Sequence, residues 1–255
     1  MASGSAVKKY SVRLVVPLLI LIFCLMTPAQ AQKEKELPVD YLAGFAFFKY
    51  ARVEPDFRTW VFNSRTYKSG TPRERANMLR SEVPRLQNIF SNYVIDDHPI
   101  YIETPVKMVM PVASEAKRLI KEEGMITVPI QITQDTGTLF AIPVSDMWIA
   151  LIPEGLDEML RIPFTEEEYA AFRKNLSDMG INSKTKIRLA LRVLPTGADT
   201  QEPLIIKDFQ LWMLLAKVIS FELRTEEEGK VIWYKGIEGY DKQNSNQDIY
   251  NLFKQ

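Results

Sequence analysis

Residues 184–193 read Lys184-Thr185-Lys186-Ile187-Arg188-Leu189-Ala190-Leu191-Arg192-Val193. Ile187, Leu189, Leu191 and Val193 fall on one side of an extended chain, and Lys184, Lys186, Arg188 and Arg192 fall on the other, because successive strand side chains point to opposite faces. One apolar and one wetted face is the habit of an antiparallel sheet. The basic side is also a candidate contact surface for an anionic glycan, a phosphate head group or an acidic partner.

Outward from this stretch, the chain after His98 is rich in β-branched and aromatic residues punctuated by Gly and Pro. Candidate strands cover 100–110, 125–133, 138–152, 185–194, 204–223 (two strands or one long bent one) and 230–235. Turns are marked by Asp135-Thr136-Gly137, Pro195-Thr196-Gly197 and Glu227-Glu228-Gly229, and such short connections imply antiparallel pairing. Segments 146–152 and 209–221 do not alternate and are apolar on both sides. They belong inside, covered on both faces, or with one face against helices. Triplets such as Val128-Pro129-Ile130, Ile142-Pro143-Val144 and Ile162-Pro163-Phe164 call for short or bent strands with protected edges, as in a sandwich. Two helices interrupt the strands. One runs from Ser114 to Glu123 and stops at Gly124; the other starts at Thr165, with Glu168 completing a capping box and Phe164 stapled onto Tyr169, and ends near Gly180.

Before His98 the pattern is helical. Pro38 and Pro55 suit first turns, and Thr71-Pro72-Arg73-Glu74 combines a capping Thr, an N1 proline and a Glu at the third position. Leu79, Val83, Leu86 and Phe90 then form one apolar stripe, with Pro84 expected to kink or split the helix. The fold class that follows is α+β: a helical N-terminal layer, 38–95, packed on an antiparallel sandwich-like sheet, 96–238, with a helix inserted at 165–179.

The termini read differently. Lys8, Lys9 and Arg13 precede an apolar run from Leu14 to Met26 and the small-residue site Ala29-Gln30-Ala31, the order of a secretory signal peptide over 1–31. Cleavage after Ala31 would make Gln32 the first mature residue and leave no membrane span. It would also remove three cations from 32 basic and 32 acidic residues, together with Cys24, leaving a mildly acidic, cysteine-free chain. Residues 32–37 are a charged linker. Residues 239–255 are a flexible polar tail closing on a short amphipathic stretch, Ile249 to Phe253. The expected destination is the periplasm, with the extracellular space as alternative.

This composition excludes a strongly basic nucleic-acid binder. A single His, His98, cannot build a multi-His metal centre, and Asp96-Asp97-His98 reads as a polar helix-to-strand turn. The acidic runs 166–168 and 226–228 fall at a helix start and a hairpin tip, positions that explain them without catalysis. No phosphate loop, nucleophile elbow or dinucleotide fingerprint occurs, and no catalytic residue, metal or cofactor is assigned. Aromatic residues crowd the first helices, where Phe45, Phe48 and Trp60 could line a groove or form core. Three functional classes follow. The first is a non-enzymatic binding or assembly module of the bacterial cell envelope, contacting an envelope protein or a glycan. The second is a carrier of an apolar ligand such as a lipid, suggested by the Met and aromatic content. The third is a hydrolase that works with carboxylates alone.

Overall fold

The helix boundaries follow from first-turn chemistry. In the computed structural model, which describes residues 37–236 apart from 135, 136 and 207, α1 (Val39–Ala51) starts behind Pro38, and α2 (Phe57–Asn63) is capped by Asp56. Asp56 Oδ1 accepts the N–H groups of Arg58 and Thr59 at 3.0 and 3.1 Å, which satisfies two otherwise orphaned donors. Ser64 caps the short α3 (Arg65–Ser69). Thr71 and Glu74 form a reciprocal capping box at the head of α4 (Pro72–Asn92). Pro84 lies inside α4 without splitting it: the helix runs on for 21 residues. Beyond the proline, Leu86 is 1% exposed and Phe90 meets Phe45 and Phe57, so tertiary packing holds the second half in line.

A 3-10 turn at Ile95–Asp97 leads into the sheet, and His98 behind it stacks on Tyr93 with centroids 5.0 Å apart. The elements that follow are β1 (Ile100–Met108), α5 (Ala113–Glu123), β2 (Ile126–Ile132), β3 (Phe140–Val144) and β4 (Met147–Glu154). Next come α6 (Leu156–Met159), β5 (Arg161–Phe164), α7 (Glu166–Asp178), β6 (Ile187–Ile206), β7 (Phe209–Thr225) and β8 (Val231–Gly236). The expected ends at Gly124 and Thr165 are in place, the second with a full capping box and Phe164 and Tyr169 rings 6.3 Å apart.

The α+β class stands, with three corrections to the expected sheet. First, the strands join in one mixed eight-stranded sheet, ordered β3-β4-β7-β6-β1-β2-β5, with β8 also on β7, and not in two separate sheets. Second, pairing is not antiparallel throughout: β4 runs parallel to β7 from Trp148 opposite Leu211 to Glu154 opposite Lys217. A chain segment holding α6, β5, α7 and β6 separates these strands, long enough for a crossover. Third, Pro195-Thr196-Gly197 is not a turn. It lies within β6 as an irregularity, one of three register shifts that let β6 and β7 stay paired as one long hairpin between Ile206 and Phe209. The segment 138–152 instead breaks into β3 and β4 at Ser145-Asp146. Pro143 and Pro163 lie in the outermost strands β3 and β5, where a missing N–H costs least.

From Pro38 on, helices and sheet belong to one compact unit and share a core. Phe45 is fully buried at its centre, ringed by Trp60, Phe57, Phe90 and Tyr93 at 5.5–6.1 Å between centroids. Phe47, on the same helix, reaches Trp212 of β7 at 6.0 Å, so α1 covers the face of β7 that carries Trp212, Leu214 and Ala216. Residues 1–31, read from the sequence as a signal peptide, and residues 239–255, read as a polar tail, lie outside the described residues.

Candidate functional site

The side of the sheet turned away from α1 divides into a polar half and an apolar half. On the polar half, register places Tyr101 of β1 beside Arg192 of β6 and Ser220 of β7, and places Glu103 beside Ala190 and Glu222. Arg188 Nη2 donates to Glu226 Oε1 at 2.8 Å, and its Nη1 lies 3.8 Å from Glu103 Oε2. Arg224 bridges the other way, with Nη1 3.3 Å from Glu103 Oε1 and Nε 2.9 Å from Glu222 Oε1. The Arg224 Nε–H is off the hydrogen-bond line, so this last contact is ionic only. The Arg224 guanidinium also sits 5.7 Å from the Tyr101 ring centre, and the Tyr101 hydroxyl donates to Glu103. Burial, then that bond to a carboxylate, pushes the Tyr101 hydroxyl well above the usual phenol range, so it stays a donor. The Arg188 hydrogen bond holds Glu226 below the ordinary carboxylate range.

This network redistributes the four basic candidates. Arg188 is committed to Glu226 and Glu103, and Arg192 faces Tyr101 and Ser220. Lys184 and Lys186 sit exposed ahead of the strand, which begins only at Ile187. A single continuous cationic stripe is therefore not what the fold builds. The long-range partners that neutralise Arg188 come from β1 and the β7–β8 turn, strands far away in sequence.

The apolar half carries Trp148, Ala150 and Ile152 of β4, Phe209, Leu211, Met213 and Leu215 of β7, and Leu204 of β6, all placed on one face by alternation and register. Trp148 is 38% and Phe209 57% exposed, and their rings meet edge to face at 6.1 Å. Ile152, Leu204, Met213 and Leu215 are half-buried. On the side away from α1, segment 146–152 presents Trp148, Ala150 and Ile152, and segment 209–221 presents Phe209, Leu211, Met213 and Leu215 before giving way to Lys217 and Ser220; Ala150 and Leu211 are buried there, and Trp148 and Phe209 are exposed. The lack of alternation was legible in the sequence and its consequence was not. Ile205, 68% exposed, adds a further apolar side chain at the hairpin tip.

The aromatic candidates lie elsewhere. Phe45 and Trp60 are core, stacked at 5.6 Å with 9° between planes, and Phe48 packs on Trp60 at 6.0 Å half-buried. Beside them a half-open cleft of about 300 Å³ is lined by Tyr41 and the edge of Trp60, with Asp40, Asn63, Arg65 and Ser145 at its mouth. Its polar groups include an Asn63 Nδ2 bond to Ser145 Oγ at 3.2 Å. No nucleophile and base are paired in it by a hydrogen bond.

The acidic runs are occupied structurally: Glu168 completes the α7 cap, Glu226 holds Arg188, and Glu228 pairs with Lys230 at 2.5 Å. Among the described residues no three His, Cys, Asp or Glu side chains converge as a metal site would require, and no helix is long and apolar enough to cross a membrane. Ala29, Ala31 and Gln32, expected from the sequence to flank a signal-cleavage site, lie outside the described residues. The chain matches no protein-family model, no curated protein and no solved structure.

Proposed function

We propose that this chain is an exported, non-enzymatic binding module of the bacterial cell envelope, and that it meets a protein partner through the apolar half of its outer sheet face. The observation that carries this reading is the pair Trp148 and Phe209, two large rings standing in solvent over a row of half-buried aliphatic side chains. Contiguous exposed apolar surface rimmed by polar groups is characteristic of association sites, and Trp and aromatic anchors dominate their energetics. Export is supported by the arrangement of Lys8, Lys9, Arg13, the run 14–26 and Ala29-Gln30-Ala31. Asp146 and Asp208, exposed in the adjoining turns, give this apolar surface a polar border of the kind that rims association sites.

The reading is tested by placing a photo-crosslinking residue at Ile152 in living cells. Fractionation should find the chain in the envelope or periplasm, joined to one defined protein. The adduct should disappear in a Trp148→Ser, Phe209→Ser variant whose melting curve is otherwise close to that of the parent. A cytoplasmic chain, or adducts that survive this double substitution, would overturn it.

A further inference from the structure

We infer that the cleft between α1, α2 and the β3–β4 turn is a binding site for a neutral saccharide of mono- or disaccharide size, separate from the outer sheet face. Distant stretches of chain converge on it. Asp40 and Tyr41 come from the first turn of α1, Trp60 and Asn63 from α2, Arg65 from the start of α3, and Ser145 from the turn after β3. Helices supply most of these side chains, which fixes their geometry better than loops alone would. The volume of about 300 Å³ is at the small end for ligand pockets, which suits a sugar and not a long chain.

The lining offers what sugar hydroxyls need. A hydroxyl donates and accepts at once, so its site must present both kinds of partner beside an apolar wall for the ring C–H groups. Among the described residues, the Asp40 carboxylate and the Arg65 guanidinium take part in no hydrogen bond or ion pair. Trp60 is only 7% exposed, yet its Nε1–H also makes no hydrogen bond there and is not sealed from solvent. Asn63 Nδ2 donates to Ser145 Oγ at 3.2 Å, which leaves Asn63 Oδ1 as an acceptor and the Ser145 O–H as a donor. The half-buried Tyr41 ring, edge to face with Trp60 at 5.8 Å, supplies the apolar wall. Asp40 and Arg65 balance in charge, which favours a neutral ligand over an anion. Ser145 is the residue that a purely structural turn would not choose. Its φ of 55° lies in the left-handed region that favours glycine, and strain of this kind concentrates at ligand sites. Glycine would relax the turn, whereas serine keeps the hydroxyl that holds Asn63.

The test is saturation-transfer NMR on the full chain with glucose, galactose, mannose, N-acetylglucosamine and their disaccharides, and with glycine and L-phenylalanine as zwitterionic probes. At least one sugar should bind saturably in the millimolar range. Asp40→Asn should weaken that binding roughly tenfold, the usual scale for a lost hydrogen bond to a charged group. Ser145→Gly should weaken it severalfold while the melting temperature holds or rises, an opposition that a merely structural serine would not produce. The Trp148→Ser, Phe209→Ser variant should bind the sugar as the parent does. No saturable signal from any sugar, or binding of the amino acids alone, would overturn the inference. So would sugar binding that survives Asp40→Asn or Ser145→Gly unchanged, or that is lost with the outer-face rings. The outer-face reading stands or falls separately, because its crosslink at Ile152 does not involve the cleft.

Discussion

Gly44 lies so close beneath Trp60 that a Cβ built on it would come within 2.6 Å of Trp60 Cη2 and 2.7 Å of Val144 Cγ1. The residue sits in the middle of α1, where glycine is ordinarily a liability of about 0.5–1 kcal/mol relative to alanine. Its reason is the approach of three elements, α1, α2 and β3, to one point. The missing side chain lets Trp60 settle flat against Phe45 and fixes the edge strand under the first helix.

Gly44→Ala should therefore destabilise the fold even though alanine is the better helix former. Overpacking a filled core costs about 1–3 kcal/mol, which outweighs the gain in helix propensity. For a domain of this size, each kcal/mol corresponds to roughly 2–4 °C in melting temperature. A variant that melts at or above the parent temperature would show that α1 can lift away from Val144, and that the close approach is not a constraint.

Phe45 and Phe209 make opposite predictions although both are phenylalanines in apolar stretches. Phe45 is fully buried at the hub of the aromatic cluster, and Phe45→Ala should cost about 3–5 kcal/mol by cavity formation. Phe209 is 57% exposed, and Phe209→Ala should cost less than about 1 kcal/mol while reducing surface binding of an apolar dye. Denaturant titration of the two variants side by side checks the pair. Comparable losses would mean that the hairpin tip is packed and the docking surface does not exist.

Acid should loosen the polar half of the outer face. Glu226 ordinarily titrates near 4.5, and its bond to Arg188 lowers that value in the folded chain. A depressed folded-state value means the pair stabilises above about pH 4.5 and its contribution is lost as pH falls through the lowered folded value. Glu74 and Asp56 are also held low, by their bonds to Thr71 and to Thr59 and Arg58, and they respond in the same direction. Melting temperature measured across this range should fall for the parent and fall less steeply for Arg188→Gln, the difference between the curves isolating Glu226. Parallel curves would remove Glu226 from the acid response. Because both partners are exposed, added salt should shrink that difference.

Local chemistry was legible along the chain because it depends on neighbours in sequence. The capping boxes at Thr71 and Thr165, the stop at Gly124 and the staple from Phe164 to Tyr169 involve residues within five positions of one another, and each is found where its chemistry placed it. Alternation at 187–193 likewise identified which side chains face the core, since Ile187, Leu189, Leu191 and Val193 are all at most 7% exposed. Pro195-Thr196-Gly197 misled because turn residues and bulge residues are the same types. Whether they reverse the chain depends on the strand opposite, and β7 stays paired on both sides of them.

What the sequence by itself determined is the α+β class, most helix ends, and the presence of two apolar segments whose residues do not alternate. Tertiary structure alone decided what those features mean. The parallel seating of β4 on β7 brings Trp148 beside Phe209, 61 positions away in the chain. The arrival of Glu103 and Glu226 at Arg188 turns a basic strand into a balanced network. Hydrogen-bond partners and charge neighbours across a sheet are set by register between distant strands, and register is a property of the assembled core, not of any one stretch of residues.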